Sequence, residues 1–302
     1  MPVMTQQHDR LDTLSIATMV VLCFLWGVQQ VVIKLTTPEI PPLLQAGLRS
    51  AIASLLVLAW LGWRGVALFG RDGSLRAGLL AGSLFALEFA LIYHGLQFTT
   101  ASRAAILLYT APFWVALGAH WLIPGERIGR AQLAGLLCAF AGILVAFGDA
   151  LHVPNPDELF GDALLLGAAL LWAATTVVIK ASVLTRIHPG KTLLYQLGLS
   201  ALLLPLASLA LGEGGMASPS RFAIGSLAFQ SIVIACVSYM IWFGLIARYP
   251  ASRLSALSFL TPLFGVAIGA LWLGEPLTLA LLLALLLVGL GIHLVNRPRP
   301  AT

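Results

Sequence analysis

The sequence predicts an all-α polytopic membrane protein with ten transmembrane helices, built as two five-helix repeats of inverted topology. Three observations support this fold class. Of the 302 residues, 59% are hydrophobic and only 10% are charged, whereas soluble domains average about 45–50% apolar and 25% charged residues. A segment near the start of the chain returns near its middle. The positive charges lie almost entirely on one side of the predicted spans.

Ten apolar segments can each cross a hydrocarbon core of about 30 Å as a helix, although the fifth is short. They are Ser15–Leu35, Leu43–Gly62, Leu75–Leu96, Ala101–Ile123, Gln132–Phe147, Asp162–Ala181, Thr192–Leu211, Phe222–Ala247, Ser252–Leu273 and Leu277–Val295. We expect a cytoplasmic lead (1–14), a first five-helix repeat (15–148), an outer linker (149–161), a second five-helix repeat (162–295) and a cytoplasmic tail (296–302).

The segment Leu25–Lys34 returns as Leu171–Lys180, with six of ten positions identical at an offset of 146 residues. In each copy a Trp, two polar residues and a Lys share one face of a helix. They are Trp26, Gln29, Gln30 and Lys34 in the first copy and Trp172, Thr175, Thr176 and Lys180 in the second. A polar face within a membrane must contact protein or a water-filled cavity, so we expect both faces to line a substrate site. The two lysines either contact a substrate carboxylate near opposite mouths or extend to the headgroups.

A second motif is also present twice. Ala101-Ser102-Arg103 precedes Pro112, and Ala251-Ser252-Arg253 precedes Pro262 at the same spacing; Gly125-Glu126 and Gly274-Glu275 then close the two copies. A proline in mid-span removes a backbone hydrogen bond and kinks the helix. The matched prolines predict either a binding site with a gating hinge or a static packing kink.

The distribution of positive charge predicts the orientation. Twelve Lys or Arg residues fall on the side of the N-terminus and only two, Arg103 and Arg221, on the other. The positive-inside rule then places both termini in the cytoplasm, in the inner (plasma) membrane of the cell. Five spans per half make the second half enter the membrane in the opposite sense to the first. The net charge of +5 therefore reports topology and gives no reason to expect nucleic acid as a partner.

Two charged residues lie away from the ends of their predicted spans. Glu88 lies near the centre of the third span, where a carboxylate serves as a proton carrier, as a counter-charge for an ammonium group or as a structural partner. Arg49 lies about two turns into the second span, where it snorkels or packs, or else contacts an anion or carboxylate at the outer mouth.

Four aromatic residues complete the set of candidates for substrate binding. Tyr93 lies near the outer end of the third span, and Tyr109 flanks Pro112 in the fourth. Tyr239 and Trp242 are one turn apart in the eighth span. Such rings stack on aromatic or cationic substrates, or anchor span ends at the membrane interface.

The sequence offers little for catalysis or cofactor binding. The three cysteines are dispersed one per span, which is typical of neither a disulfide framework nor a metal site. No HExxH, GxSxG or paired-Asp arrangement occurs, and Gly190-Lys191-Thr192 lacks the strand and the first glycine of a phosphate-binding loop. We therefore expect no catalytic residues, no metal and no cofactor, and a protein that is not an enzyme.

The two duplicated motifs resemble the five-helix EamA unit of the drug/metabolite transporter superfamily, and the resemblance covers roughly residues 15 to 295. Within that superfamily the chain is most similar to bacterial inner-membrane exporters of aromatic and other neutral amino acids. The resemblance implies ten spans, alternating access and a central cavity lined by spans 1, 3, 4, 6, 8 and 9. Glu88 departs from the repeat pattern, because the second half of this chain holds no counterpart to it.

The sequence thus predicts a secondary active transporter that exports small amphipathic metabolites, with neutral or aromatic amino acids as the leading class. The alternative is an exporter of drugs and planar organic cations from the same superfamily. The expected partners are a small-molecule substrate and the lipid bilayer, with protons as a candidate coupling ion. The expected oligomeric state is a monomer or a weak dimer.

Overall fold

The computed structural model describes residues 11–68, 70, 72–148, 153–216, 218–273 and 279–297. In these residues the regular elements are all helical. The α-helices are α1 (Thr13–Thr36), α2 (Pro42–Trp63), α3 (Leu75–Gly95), α4 (Ala101–Leu108), α5 (Ala111–Leu122), α6 (Arg130–Phe147), α7 (Pro156–Ala181), α8 (Pro189–Ala210), α9 (Arg221–Phe229), α10 (Tyr239–Arg248), α11 (Ala251–Leu257), α12 (Leu260–Leu273) and α13 (Leu279–Asn296). A π-helical segment, Gln230–Ser238, joins α9 to α10.

Within the described residues, ten helical spans are long and apolar enough to cross a membrane, which confirms the predicted fold class. The fourth span is divided into α4 and α5, and the ninth into α11 and α12. Both divisions lie just before a proline, at Pro112 and Pro262. The predicted motif residues Gly274-Glu275 and the first residues of the predicted tenth span lie outside the described residues.

The sixth span begins earlier than the sequence analysis predicted. Helix α7 starts at Pro156 rather than Asp162, so the second part of the expected linker is helical. The reason is a capping box: the Asn155 side chain accepts from the backbone nitrogen of Glu158, and the Glu158 carboxylate accepts from that of Asn155. These two bonds satisfy amide groups that a helix start leaves without partners.

Small residues allow the spans to approach closely. Helix α3 packs against both α7 and α8. Gly82 of α3 lies so close to α8 that a Cβ atom added to it would overlap the carbonyl oxygen of Tyr195. Helices α6 and α13 form a similar pair, with Gly135 against Gly291. One side of α13 is therefore buried within the chain, while leucines such as Leu286 remain exposed on its other side.

Carboxylates from connections join the two halves at the predicted outer end. Glu213 accepts hydrogen bonds from the backbone nitrogens of Leu43 and Leu44, each at 3.1 Å, and so caps the start of α2. Glu39 accepts from the backbone nitrogen and the hydroxyl of Ser220 at the start of α9. Each bond crosses from one half of the chain to the other, so both help to fix the halves around the interior.

Candidate substrate site

The tryptophan of the first repeated face contacts the eighth span directly. Trp26 Nε1 donates to Ser238 Oγ at 3.0 Å. The Trp26 ring packs edge to face against Trp242, with centroids 5.7 Å apart, and lies 6.3 Å from the Tyr239 ring. Because Trp26 belongs to the first half and the other three residues to the second, the halves meet at this point.

The eighth span is irregular at the same level. Its π-helical segment Gln230–Ser238 ends at the residue that accepts the Trp26 hydrogen bond. Short π-helical segments are uncommon and often occur at functional sites. No sequence pattern indicated this segment, because its residues are ordinary for an apolar helix.

A row of aromatic rings continues from Tyr239 onto α3. Phe85 lies edge to face with Tyr239 at 6.1 Å. Phe89 then lies 4.8 Å from Phe85 and 6.1 Å from Tyr93. The sequence analysis missed Phe85 and Phe89, although their spacing with Tyr93 at every fourth position places all three on one face of a helix. We call Trp26, Phe85, Phe89, Tyr93, Tyr239 and Trp242 the first aromatic group.

The two intramembrane charges lie beside this group. Arg49 is fully buried, and its guanidinium carbon lies 4.8 Å from the centre of the Phe89 ring. Glu88 is 7% exposed, and it interacts electrostatically with Arg49. Tyr93 and Tyr239 also interact with Arg49. The structure thus places Arg49 in the packed interior rather than at a mouth, and its burial excludes snorkelling.

A second aromatic group surrounds the break in the fourth span. Tyr109, at the end of α4, lies edge to face with Trp172 at 6.2 Å and 6.4 Å from Phe259. Phe259 occupies the corresponding break between α11 and α12. Both kinked spans therefore place an aromatic ring at the same location, together with the tryptophan of the second repeated face.

Polar residues of the repeated faces are distributed around these groups. Gln30 is exposed, and its side chain lies within interaction range of the Tyr109 hydroxyl. Gln29 and Thr176 are buried, at 7% and 3% exposure. Helix α1 therefore lies between the two aromatic groups, with Trp26 in the first and Gln30 beside the second.

The two repeated lysines differ in environment. Lys180 is 7% exposed, and its Nζ donates to the carbonyl oxygens of Ile246 and Tyr249, each at 2.8 Å. It therefore caps the end of α10 and does not extend to the headgroups. Lys34, in the last turn of α1, is exposed. The sequence could not reveal this difference, since the two lysines occupy equivalent positions in the repeat.

Comparison with known proteins agrees with this duplicated architecture. A sequence model of the EamA-like transporter family matches the chain twice, over residues 13–148 and 159–297. The chain belongs to the EamA-like transporter family. This EamA-like protein is therefore a transporter that passes through the membrane several times.

Individual relatives extend over most of the EamA-like chain. It is 31% identical over 281 residues to a "Probable amino-acid metabolite efflux pump" of Escherichia coli K12, covering 89% of this chain and 90% of that protein. It is also 31% identical over 247 residues to an "Uncharacterized transporter" of Archaeoglobus fulgidus, covering 80% and 82%. A protein of known crystal structure aligns with a TM-score of 0.78 at 18% identity, covering 94% of this chain and 96% of that one. The last similarity establishes the fold alone.

Proposed function

We propose that this EamA-like protein is a secondary active transporter that exports small amphipathic metabolites, with neutral and aromatic amino acids as the leading substrate class. The observation that carries the proposal is the contact of Trp26 with Ser238, Tyr239 and Trp242. A site shared by two halves of a transporter changes shape when the halves move, as alternating access requires.

The chemistry of the interior supports this substrate class. The rings of the first aromatic group offer apolar faces, and a buried guanidinium and a buried carboxyl group lie beside them at Arg49 and Glu88. An aromatic amino acid carries three groups that complement these, namely a ring, a carboxylate and an ammonium group. The name of the relative in Escherichia coli, an amino-acid metabolite efflux pump, agrees with the same class.

The proposed movement uses the two divided spans. Pro112 and Pro262 lie in the first turn of the second part of spans that break beside Tyr109 and Phe259. A bend at either break would move one of these rings and so open or close a path to the second aromatic group.

Both termini are proposed to lie in the cytoplasm. A reporter fused to the C-terminus that is active only outside the cytoplasm would contradict this orientation if it gave a signal.

We propose protons as the coupling ion, with Glu88 as their carrier. Glu88 is an acidic residue within the membrane interior, and the charged or titratable groups around it are Arg49 and Tyr239. A Glu88→Gln variant should transport at the same rate with or without a pH gradient. If the gradient accelerates this variant as much as the wild type, Glu88 does not carry the proton.

The experiment that tests the function is uptake of labelled neutral amino acids into proteoliposomes that contain the purified protein, with and without an imposed pH gradient. Empty liposomes are the control. Saturable uptake that unlabelled Phe, Met or Thr competes away is the expected result. Failure to take up any amino acid, in a preparation that moves a planar organic cation, would support the drug-exporter alternative instead.

A further inference from the structure

Arg49 is a buried cation whose guanidinium makes no close hydrogen bond to any described residue. It is 0% exposed and is the largest fully buried side chain of the described residues. None of its Nε, Nη1 and Nη2 atoms has a hydrogen-bond partner within the part of the chain that the structure describes. A guanidinium carries five N–H donors, and removing them from water without replacing their bonds is strongly unfavourable. A native fold keeps such a group only when something else compensates for it.

Two other buried cations of this protein have the bonds that Arg49 lacks. Lys180 is similarly buried, and it donates to two carbonyl oxygens at 2.8 Å. Arg103 is 7% exposed and forms an ion pair with Asp162. These two residues show how this fold binds a cation that has a structural role. Arg49 instead lies over the face of the Phe89 ring, at 4.8 Å.

An acidic residue lies near Arg49, yet the two do not pair. Glu88 interacts with Arg49 over a distance, but none of the guanidinium nitrogens has a partner, and the Glu88 Oε2 atom has none either among the described residues. The interior thus contains a donor group and an acceptor group that are both unsatisfied. Both lie beside the first aromatic group, in which Tyr93 interacts electrostatically with Arg49 and the Tyr239 hydroxyl lies within interaction range of its guanidinium.

We propose that Arg49 and Glu88 together bind the head group of a zwitterionic substrate, with its carboxylate on Arg49 and its ammonium group on Glu88. This inference rests on the proposed transport of amino acids and specifies which groups recognise them. A guanidinium fits a carboxylate through two parallel hydrogen bonds, which an isolated ammonium such as Lys34 cannot offer. The side chain of the substrate then lies against the rings of Phe85, Trp26 and Tyr239.

The geometry also predicts selectivity. A substrate that lacks the carboxylate leaves the guanidinium unsatisfied, and one that lacks the ammonium group leaves Glu88 unsatisfied. A site that hydrogen-bonds a polar group of its substrate strongly rejects an analogue without that group. An apolar pocket discriminates far less between substrates that differ by one methylene. Organic cations without a carboxylate should therefore be poor substrates of this protein.

The test uses the best amino-acid substrate from the uptake experiment together with its two truncated analogues. For phenylalanine these are phenethylamine, without the carboxylate, and 3-phenylpropionate, without the ammonium group. Equilibrium binding of each labelled compound is measured on the full-length purified protein. We expect both analogues to bind the wild type about 10- to 100-fold more weakly than phenylalanine.

Variants then assign each contact. Arg49→Gln should weaken the binding of phenylalanine about 10- to 100-fold and leave the binding of phenethylamine unchanged. Glu88→Gln should weaken the binding of phenylalanine by a similar factor and leave the binding of 3-phenylpropionate unchanged. Arg49→Lys should restore part of the affinity. Thermal unfolding separates this role from a structural one, because Arg49→Gln should be at least as stable as the wild type.

Equal weakening of all three compounds, with a lower unfolding temperature in Arg49→Gln, would overturn the inference in favour of a structural arginine. Phenylalanine transport with unchanged affinity in that variant would also overturn it while leaving the proposed function intact. If Arg49→Gln does not fold, the analogue series on the wild type still decides, since equal affinity for phenylalanine and phenethylamine would contradict the carboxylate contact. Absence of all amino-acid transport would instead refute the proposed function itself.

Discussion

The Glu126 carboxylate, at the end of the first repeat's second motif, accepts a hydrogen bond from the backbone nitrogen of Ala251 at 3.0 Å. It also accepts from the backbone nitrogen and hydroxyl of Ser252, at 3.3 and 3.1 Å. Glu126 therefore caps the start of α11, at the point where the ninth span begins. The end of the first copy of the duplicated motif thus contacts the start of the second copy, which joins the two halves at the end opposite to the caps made by Glu213 and Glu39.

Replacing Glu126 with alanine should destabilise the protein. The change removes an acceptor from two backbone amides at a helix start, and the loss of a side-chain cap costs about 0.5–2 kcal/mol. Titration with SDS in mixed micelles measures the change in the free energy of unfolding. Ser252→Ala is the matched control, because it loses one hydroxyl bond and retains both backbone bonds, so its effect should be smaller. Equal stability of Glu126→Ala and the wild type would contradict the capping role.

Replacing Gly82 with alanine tests the close packing of α3 on α8. A Cβ atom at this position would overlap the carbonyl oxygen of Tyr195, and overpacking of this kind costs about 1–3 kcal/mol. Gly198→Ala is the matched control in the neighbouring helix, since a Cβ atom added there would meet nothing within 4 Å. That change should be neutral or stabilise by up to about 1 kcal/mol. The same SDS titration separates the two, and a stabilised Gly82→Ala would show that α3 and α8 do not approach this closely.

The sequence predicted the parts of this protein that follow from hydrophobicity and from repetition. Ten spans and the breaks at Pro112 and Pro262 could be inferred because a span needs about 20 apolar residues and proline interrupts a helix. The early start of α7 was also available in the sequence, as the capping residues Asn155 and Glu158. That signal concerns the order of four residues and needs no tertiary information.

The environments of charged residues could not be predicted in the same way. The position of Arg49 in α2 is clear from the sequence, but its neighbours Phe89 and Tyr239 belong to α3 and α10, which only tertiary packing brings to it. Likewise, the carbonyl groups that accept from Lys180 belong to Ile246 and Tyr249, which lie in the eighth span and just after it. Repeat symmetry alone assigned equal roles to Lys34 and Lys180, whereas tertiary packing gives them different ones.

The ion pair between Asp72 and Lys191 predicts a pH-dependent contribution to stability. Lys191 Nζ lies 2.7 Å from Asp72 Oδ2, and this bond, with those from Ser74, lowers the pKa of Asp72 from 3.8 to about 2. Because the pKa is depressed in the folded state, the stabilisation is fully present above about pH 4 and is lost as the pH falls towards 2. The Asp72 side chain is 34% exposed, so we expect less than about 1 kcal/mol.

The measurement compares the wild type with Asp72→Asn by SDS titration across this pH range. The difference in the free energy of unfolding should be constant near neutral pH and should shrink below pH 4. Lys191→Met, alone and combined with Asp72→Asn, provides a double-mutant cycle that isolates the pair from other titrating groups. A difference that stays the same down to the lowest pH would mean that the pair does not titrate as described.

The matched breaks in the fourth and ninth spans should serve movement more than stability. Pro112 cannot donate a backbone hydrogen bond, and at the break Thr110 bonds back to Leu107 while Ser258 bonds to Ser255 in the other copy. Pro112→Ala supplies a donor and permits a continuous helix, so the free energy of unfolding should stay the same or rise. If the break is a hinge, transport should nevertheless slow by about tenfold, which corresponds to about 1.4 kcal/mol in the barrier.

Pro205→Ala is the control, because Pro205 lies inside the uninterrupted helix α8 and its replacement should leave the rate unchanged. A Pro112→Ala protein that transports at the wild-type rate would make the break a static feature of packing, and the same comparison at Pro262 shows whether both halves bend.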